Sequence, residues 1–290
     1  MDVARLAAFT TTPAGGNPAG VVLTDHPLDA PTMQQVAADV GYSETAFLVA
    51  TDGPRRWRVR YFAPETEVPF CGHATIAAGV LLGERDGGGA LTFDTAAGEI
   101  HVEVVTGADG TTATLISAPP RVDAADDDLV DDALATMGWD RSVLDPALPT
   151  AVAAAGARHL VLPVATRADL AALDYAFDDL RAVMTRADLT TVAVVWREDV
   201  DRFHARNPFP VGGVVEDPAT GAAAAALGAY LRHHALVRPP ATVWIEQGVD
   251  MDRPSLLTVD IPSGDGGIAV TGTAVHISGG YAAAAGSVGA

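Results

Sequence analysis

Two short segments constrain this chain more than anything else in it. Cys71-Gly-His-Ala-Thr-Ile-Ala-Ala-Gly79 and Thr220-Gly-Ala-Ala-Ala-Ala-Ala-Leu-Gly228 each open a helical stretch on a glycine, continue through small residues and carry a second glycine seven positions on. Their surroundings repeat as well. Val200–Arg206 resembles the strand-like alternation of Trp57–Phe62, and Phe209-Pro210 resembles Phe62-Ala63-Pro64. Matching segments at matching places predict a duplicated αβ unit with an internal pseudo-two-fold. Small residues along a helix also let a sheet approach closely, so each helix is expected at the centre of its half.

Hydrophobic alternation and turn residues outline the rest. Strands are expected at residues 3–10, Gly20–Leu23, Thr45–Val49, Trp57–Phe62, Ala90–Asp94 and Ile100–Val105, with a helix over Pro31–Val40. Gly15-Gly16-Asn17-Pro18 reads as a turn. A second helix is expected from Gly72 to Leu82, ended by Gly83. The stretch 118–132, Ala-Pro-Pro-Arg-Val-Asp-Ala-Ala-Asp-Asp-Asp-Leu-Val-Asp-Asp, reads as an exposed linker entering a helix whose acidic first turn suits the helix dipole. It divides the chain into lobes at 1–118 and 119–290. The tail Gly279–Ala290, rich in Ala and Gly, is expected to fray.

Composition removes several classes of function. The net charge is −19, and all 18 basic residues are Arg. A nucleic-acid partner is not expected, because phosphate binding needs concentrated positive charge. Without Lys there is no Schiff base with a carbonyl substrate, no pyridoxal phosphate aldimine and no P-loop. The eight His form no H-x-x-x-H set and no C-x-x-C exists, so neither a metal nor a cofactor is expected. No G-x-G-x-x-G opens a helix after a strand. No apolar run reaches about 18 residues, and the N-terminus has no secretion signal. With its single cysteine, the chain is expected in the cytoplasm and away from membranes.

The paired glycines suggest chemistry. A helix N-terminus offers unpaired N–H groups and a positive dipole end, so two of them could grip a carboxylate with backbone donors alone. His73, Glu216 and Asp217 flank these starts, and Glu44 stands at the mouth of an apolar strand, where burial strengthens a carboxylate as a base. Each has a structural alternative: a solvated Glu44, a His73 bonded to backbone, an Asp217 that caps a turn before Pro218. Cys71 has Thr220 as its counterpart, which excludes a two-thiol racemase and leaves Cys71 as a small buried hydrophobe.

Gly16-Asn-Pro-Ala-Gly20, Ser43-Glu-Thr-Ala-Phe47, Phe70-Cys-Gly-His-Ala-Thr75, Glu216-Asp-Pro-Ala-Thr-Gly221 and Glu246-Gln-Gly248 with Arg253-Pro254 together resemble the phenazine biosynthesis PhzF-like family. The resemblance implies the α+β fold of diaminopimelate epimerase. That fold has two similar lobes, each a curled, mostly antiparallel sheet around a central helix, with the last strand able to cross back to the first lobe and the site in the cleft. It implies a cofactor-independent isomerase that shifts a proton on a small carboxylic acid, as in trans-2,3-dihydro-3-hydroxyanthranilate. Glu44 would be its base, and His73 and Asp217 its other catalytic groups. Gly72 and Gly221 would hold the carboxylate, with Ala222 and Asn17 also at the substrate. A homodimer is implied too. Where the family usually has Ser this chain has Ala222, which argues for a different substrate or a weaker isomerase. Two other readings stay open: a noncatalytic small-ligand-binding or interaction protein that keeps the fold, and an amino acid racemase with Asp217 or His73 opposite Glu44.

Overall fold

Apolar runs that alternate with helical stretches leave parallel strand pairs joined across helical crossovers, two such pairs in each half of the chain. A computed structural model describes residues 1–277. The chain divides into two units. The first holds Met1–Ala14, Pro18–Ala113 and the described residues from Thr273 on; the second holds Gly15–Asn17 and Thr114–Gly272.

In order, the first unit is built from β1 (Ala4–Ala8), β2 (Asn17–Thr24), α1 (Ala30–Val40), β3 (Glu44–Ala50), β4 (Arg56–Phe62), β5 (Glu67–Val68), α2 (Gly72–Asp86), β6 (Gly89–Thr95), β7 (Gly98–Gly107) and the start of β8 (Gly110–Ile116). Strand β2 runs parallel to β3 across α1, β3 pairs antiparallel with β4, and β4 with β5. After α2, β6 lies parallel to β4 and antiparallel to β7. Asp29 caps α1 by accepting from Thr32 N at 2.8 Å, and Gly41, with φ 70°, ends it. Met33 and Ala37 of that helix bury against Val22, Phe47 and Phe62.

The second unit continues with β9 (Arg121–Ala124), α3 (Asp127–Thr136), β10 (Ala151–Ala154), β11 (Arg158–Val164), α4 (Arg167–Ala171), α5 (Phe177–Arg186), β12 (Thr191–Arg197), β13 (Arg202–Phe209), β14 (Val214–Asp217), α6 (Gly221–His233), β15 (Ala241–Gln247), β16 (Ser255–Ile261) and the start of β17 (Ala269–His276), whose end from Thr273 belongs to the first unit. Its order repeats the first. Strand β11 is parallel to β12 across α4 and α5, β12 is antiparallel to β13, and β13 to β14. After α6, β15 is parallel to β13 and antiparallel to β16. The registers match too: Tyr61 sits opposite Val68 as Asn207 sits opposite Asp217, three residues before Thr220 as Val68 is three before Cys71. Glu44 and Thr191 then hold the same place at the head of their strands, and His73 corresponds to Ala222.

The repeated glycines have a packing role. A Cβ on Gly79 would come within 2.9 Å of Ala113 Cβ, and one on Gly228 within 2.8 Å of Val259 Cγ1. Each central helix therefore lies directly on its sheet: α2 packs on β1, β3 and β7, and α6 on β9, β10, β11 and β16. Helices α3, α4 and α5 contribute Val130, Leu134, Leu170, Leu180 and Met184 to a separate core with Leu160, Leu162, Val192 and Val194.

Three expectations change. Gly83 does not end α2, which runs to Asp86 and stops at Gly87 with φ 82°; Gly83 instead faces Val104 and Thr111, where a side chain would not fit. The stretch 118–132 is not a bare linker. Its residues Arg121–Ala124 pair with β10, and Asp127 and Asp128 lie in the first turn of α3, while the units change at Ala113/Thr114. Of the Gly15–Pro18 turn only Gly16 keeps the left-handed backbone, since β2 already begins at Asn17. The tail Gly279–Ala290 lies outside the described residues. Among those residues, no helix is long and apolar enough to cross a membrane.

Candidate functional site

In the first unit the groups gather at the start of α2. Parallel pairing of β3 with β2 puts Ala19 opposite Glu44 and Gly20 opposite Thr45. A Cβ at Gly20 would lie 2.6 Å from Thr45 Oγ1, so the glycine of the Gly16–Gly20 motif leaves room for the head of β3. Glu44 is thereby fixed where that strand emerges, with its side chain 17% exposed, and its Oε2 lies 3.3 Å from His73 Nε2.

His73 is the second residue of α2 and is buried. Burial pulls its pKa below the ordinary imidazole value, against the opposing pull of the Glu44 charge. Ser43 Oγ also lies 3.3 Å from His73 Nε2, and Cys71 Sγ lies 3.4 Å from Nδ1. The carbonyl of Cys71 accepts from Thr75 Oγ1 at 2.7 Å, and Thr75 in turn meets Tyr61 Oη at 2.6 Å. Burial raises the Tyr61 phenol and keeps it protonated. This ties the N-cap to the sheet below. Beside Gly72 the space is open: a Cβ there would meet nothing nearer than a Phe70 ring carbon at 4.0 Å.

In the second unit the polar residues hold one another. Asp217, at the end of β14, accepts from Asn17 Nδ2 at 2.6 Å through Oδ1 and from Thr220 Oγ1 at 2.6 Å through Oδ2. Asn17 Nδ2 also donates to Ala219 O at 3.1 Å. Gln247 closes the turn: its Nε2 donates to Asp217 O at 2.7 Å and Thr220 Oγ1 at 3.0 Å, while its Oε1 accepts from Thr220 N at 3.2 Å.

Asn17 owes its place to Arg253, which donates to the carbonyls of Gly16 and Gly15 at 2.8 Å each. Gly248 has φ 74°, and a Cβ there would lie 2.3 Å from Arg253 O, so that turn admits no side chain. Gly15–Asn17, Asp217, Ala219, Thr220, Gln247 and Arg253, drawn from separated motifs, thus make one hydrogen-bonded frame around the start of α6. Glu216 faces away from this frame: it is 5% exposed and paired with Arg206, whose Nη2 lies 2.7 Å from its Oε2. Arg206 also donates to the carbonyls of Leu170, Ala171 and Leu173.

The structure therefore brings Glu44, His73 and Gly72 together in the first unit, and Asp217, Asn17, Gly221 and Ala222 in the second. Ala222, second in α6, presents a methyl group where His73 presents its ring in the other copy. Sequence reasoning overlooked Ser43 and Gln247, although both lie inside motifs it singled out. It also set Cys71 aside, although the sulfur touches the imidazole.

Known proteins give this arrangement its class. An "Uncharacterized isomerase" of Deinococcus radiodurans is 34% identical over 274 residues, covering 89% of this chain and 86% of the relative. A protein of Pseudomonas chlororaphis named trans-2,3-dihydro-3-hydroxyanthranilate isomerase is 30% identical, with 86% of each chain covered. A crystal structure of the Bacillus anthracis phenazine biosynthesis protein of the PhzF family superposes with a TM-score of 0.85 at 26% identity, covering 95% of this chain and 96% of that one. The class is an isomerase of the PhzF type. The family model described as phenazine biosynthesis-like protein, PhzC-PhzF, matches residues 6–280, and the chain belongs to that family.

Proposed function

We propose that the protein moves a proton between two carbons of a small carboxylic acid, with Glu44 as general base. The observation that carries this reading is the 3.3 Å approach of Glu44 Oε2 to the buried His73 Nε2, beside the open start of α2. A carboxylate in that position can take a proton from a C–H bond next to unsaturation. The bond's electron pair enters the conjugated system, and the protonated Glu44 returns the hydrogen at another carbon, restoring its own charge. His73 orients the carboxylate through Nε2. The amides that open α2 at Gly72 are the donors for the substrate's carboxylate. The chain's own residues supply no amine for a Schiff base, since it has no Lys.

Dihydro-hydroxyanthranilate-like acids, or amino and hydroxy acids of similar size, are the substrates this reading selects; the name of the Pseudomonas chlororaphis relative supports the first. Ala222 supplies no hydroxyl, so the preferred acid lacks a group that needs one there. Asp217 is assigned to catalysis, and Asn17, Gly221 and Ala222 to substrate binding, within the second unit. We expect a cytoplasmic homodimer, supported by the single cysteine and the family resemblance.

Glu44→Gln tests the base. Incubation with candidate acids in deuterium oxide, read by mass spectrometry, should show exchange in the wild type and a loss of about 10²–10⁴-fold in the variant. Exchange that persists at the wild-type rate removes Glu44 from the role.

A further inference from the structure

The spacing of histidines and the single cysteine along the sequence offers no metal-ligand set, yet folding assembles one. Glu44, Cys71 and His73 each present a donor atom within 4.8 Å of the other two. Glu44 Oε2 is 3.3 Å and Cys71 Sγ 3.7 Å from the same nitrogen, His73 Nε2. Bonds of ~2.0–2.3 Å to a tetrahedral zinc place neighbouring donors ~3.3–3.8 Å apart, and both separations from Nε2 fall in that range, with the sulfur also 3.4 Å from Nδ1. We propose that this triad binds one Zn²⁺, with Cys71 as thiolate, His73 through Nε2 and Glu44 through Oε2, and that the ion inhibits the enzyme.

The donor types support zinc in particular. A thiolate, an imidazole and a carboxylate form a mixed, borderline-soft set that suits Zn²⁺ far better than Mg²⁺ or Ca²⁺, which take oxygen ligands. Cys71 and His73 are buried at the base of the site, while Glu44 stands at its more open edge, which gives an ion a way in and leaves a fourth position toward that edge. The donors are also held by the fold. Cys71 is the N-cap of α2, His73 lies in its first turn, and Glu44 heads β3, so closing on an ion needs only side-chain rotation. Binding displaces the thiol proton to solvent as the S–Zn bond forms. The binding claim stands on this geometry alone. Inhibition rests on the reading above, because a Glu44 oxygen engaged by zinc no longer accepts a proton from carbon.

The test uses the full-length protein, freed of metal by a chelator and titrated with Co²⁺ as a spectroscopic stand-in for zinc. The expected result is one equivalent bound, with a near-ultraviolet thiolate-to-cobalt band and the visible bands of a tetrahedral ion, both erased by added Zn²⁺. Cys71→Ser, shown to be folded by circular dichroism, should lose the thiolate band. Its Zn²⁺ affinity should fall by more than the roughly 10–100-fold that loss of an outer-shell partner costs. Glu44→Gln should keep the band and bind more weakly, and the pair variant His233→Ala, His234→Ala should bind as the wild type does. A titration without a thiolate band, or equal zinc affinity in Cys71→Ser and wild type, overturns the proposal. Zn²⁺ should also suppress deuterium exchange in proportion to occupancy. A wild type with no exchange at all counts against Glu44 as base and leaves the cobalt titration to decide the metal site.

Discussion

His159 provides the sharpest quantitative test of the second unit. Its ring is fully buried between β11 and β12, with Nδ1 2.8 Å from Thr191 Oγ1. The Thr191 hydroxyl donates to Asn207 Oδ1 at 3.1 Å, so its oxygen accepts from His159 and the imidazole carries its proton on Nδ1. Nε2 then carries the lone pair and is buried with no hydrogen-bond partner among the described residues. Protonation there would bury an unpaired charge, and burial lowers the pKa from 6.5 to about 3. An unfolded chain takes up this proton near pH 6.5, whereas the folded one refuses it. The stability is therefore fully present above pH 6.5 and is lost as pH falls toward 3. At about 1.36 kcal/mol per pKa unit the whole effect reaches about 5 kcal/mol, of which about 2.5 kcal/mol is lost between pH 7 and pH 4.5.

His159→Asn keeps an amide donor near Thr191 and cannot titrate. At pH 7 it should cost about 1–2 kcal/mol for the ring atoms removed. Urea unfolding at pH 7 and pH 4.5, followed by circular dichroism, compares the two proteins. The carboxylates and His73 titrate in both, so they cancel, and the variant should lose about 2.5 kcal/mol less than the wild type over that interval. Equal losses would refute the assignment of a neutral, Nδ1-protonated His159.

Three further outcomes follow from packing and pairing. Gly228→Ala drives a methyl group to within 2.8 Å of Val259 and 2.9 Å of Ile268, and should lower the unfolding free energy by about 1–3 kcal/mol in the same urea assay. Arg206→Met leaves the buried Glu216 without its guanidinium and should cost about 3–5 kcal/mol, with partial recovery when Glu216→Gln is added. Asn17→Ala removes the amide shared by Asp217 and Ala219; exchange kinetics should show KM rising more than kcat falls, and equal changes in both would count against Asn17 as a holder of the binding turn.

The duplication was readable because close packing of a helix on a sheet demands small residues at fixed places, so Gly79 and Gly228, each seven residues after the glycine that opens its helix, carry a repeated signature. Glu44 was readable for a similar reason, as a charge set against an apolar strand. The end of α2 was not, because Gly83 serves a contact with Val104 and Thr111 rather than a terminus, and a glycine's purpose depends on what packs against it. Nor was the partnership of Asn17 with Asp217, or of Arg253 with Gly15 and Gly16. These bonds join positions some two hundred residues apart, and no local periodicity encodes them. The nearness of Cys71 Sγ to His73 was hidden for the opposite reason. Residues two apart look unrelated in a regular helix, but Cys71 is the N-cap, and its extended backbone brings the sulfur to 3.4 Å from Nδ1.

The closing strand has a consequence for how the polypeptide is made. Leu6, Ala7 and Ala8 pair with His276, Val275 and Ala274, so this strand waits for a partner made some 270 positions later. At ~5–20 residues per second the delay over some 270 positions is tens of seconds. Throughout it the inner edge of β1 stays without its neighbour, and the N-terminal unit, though translated first, is the one completed last.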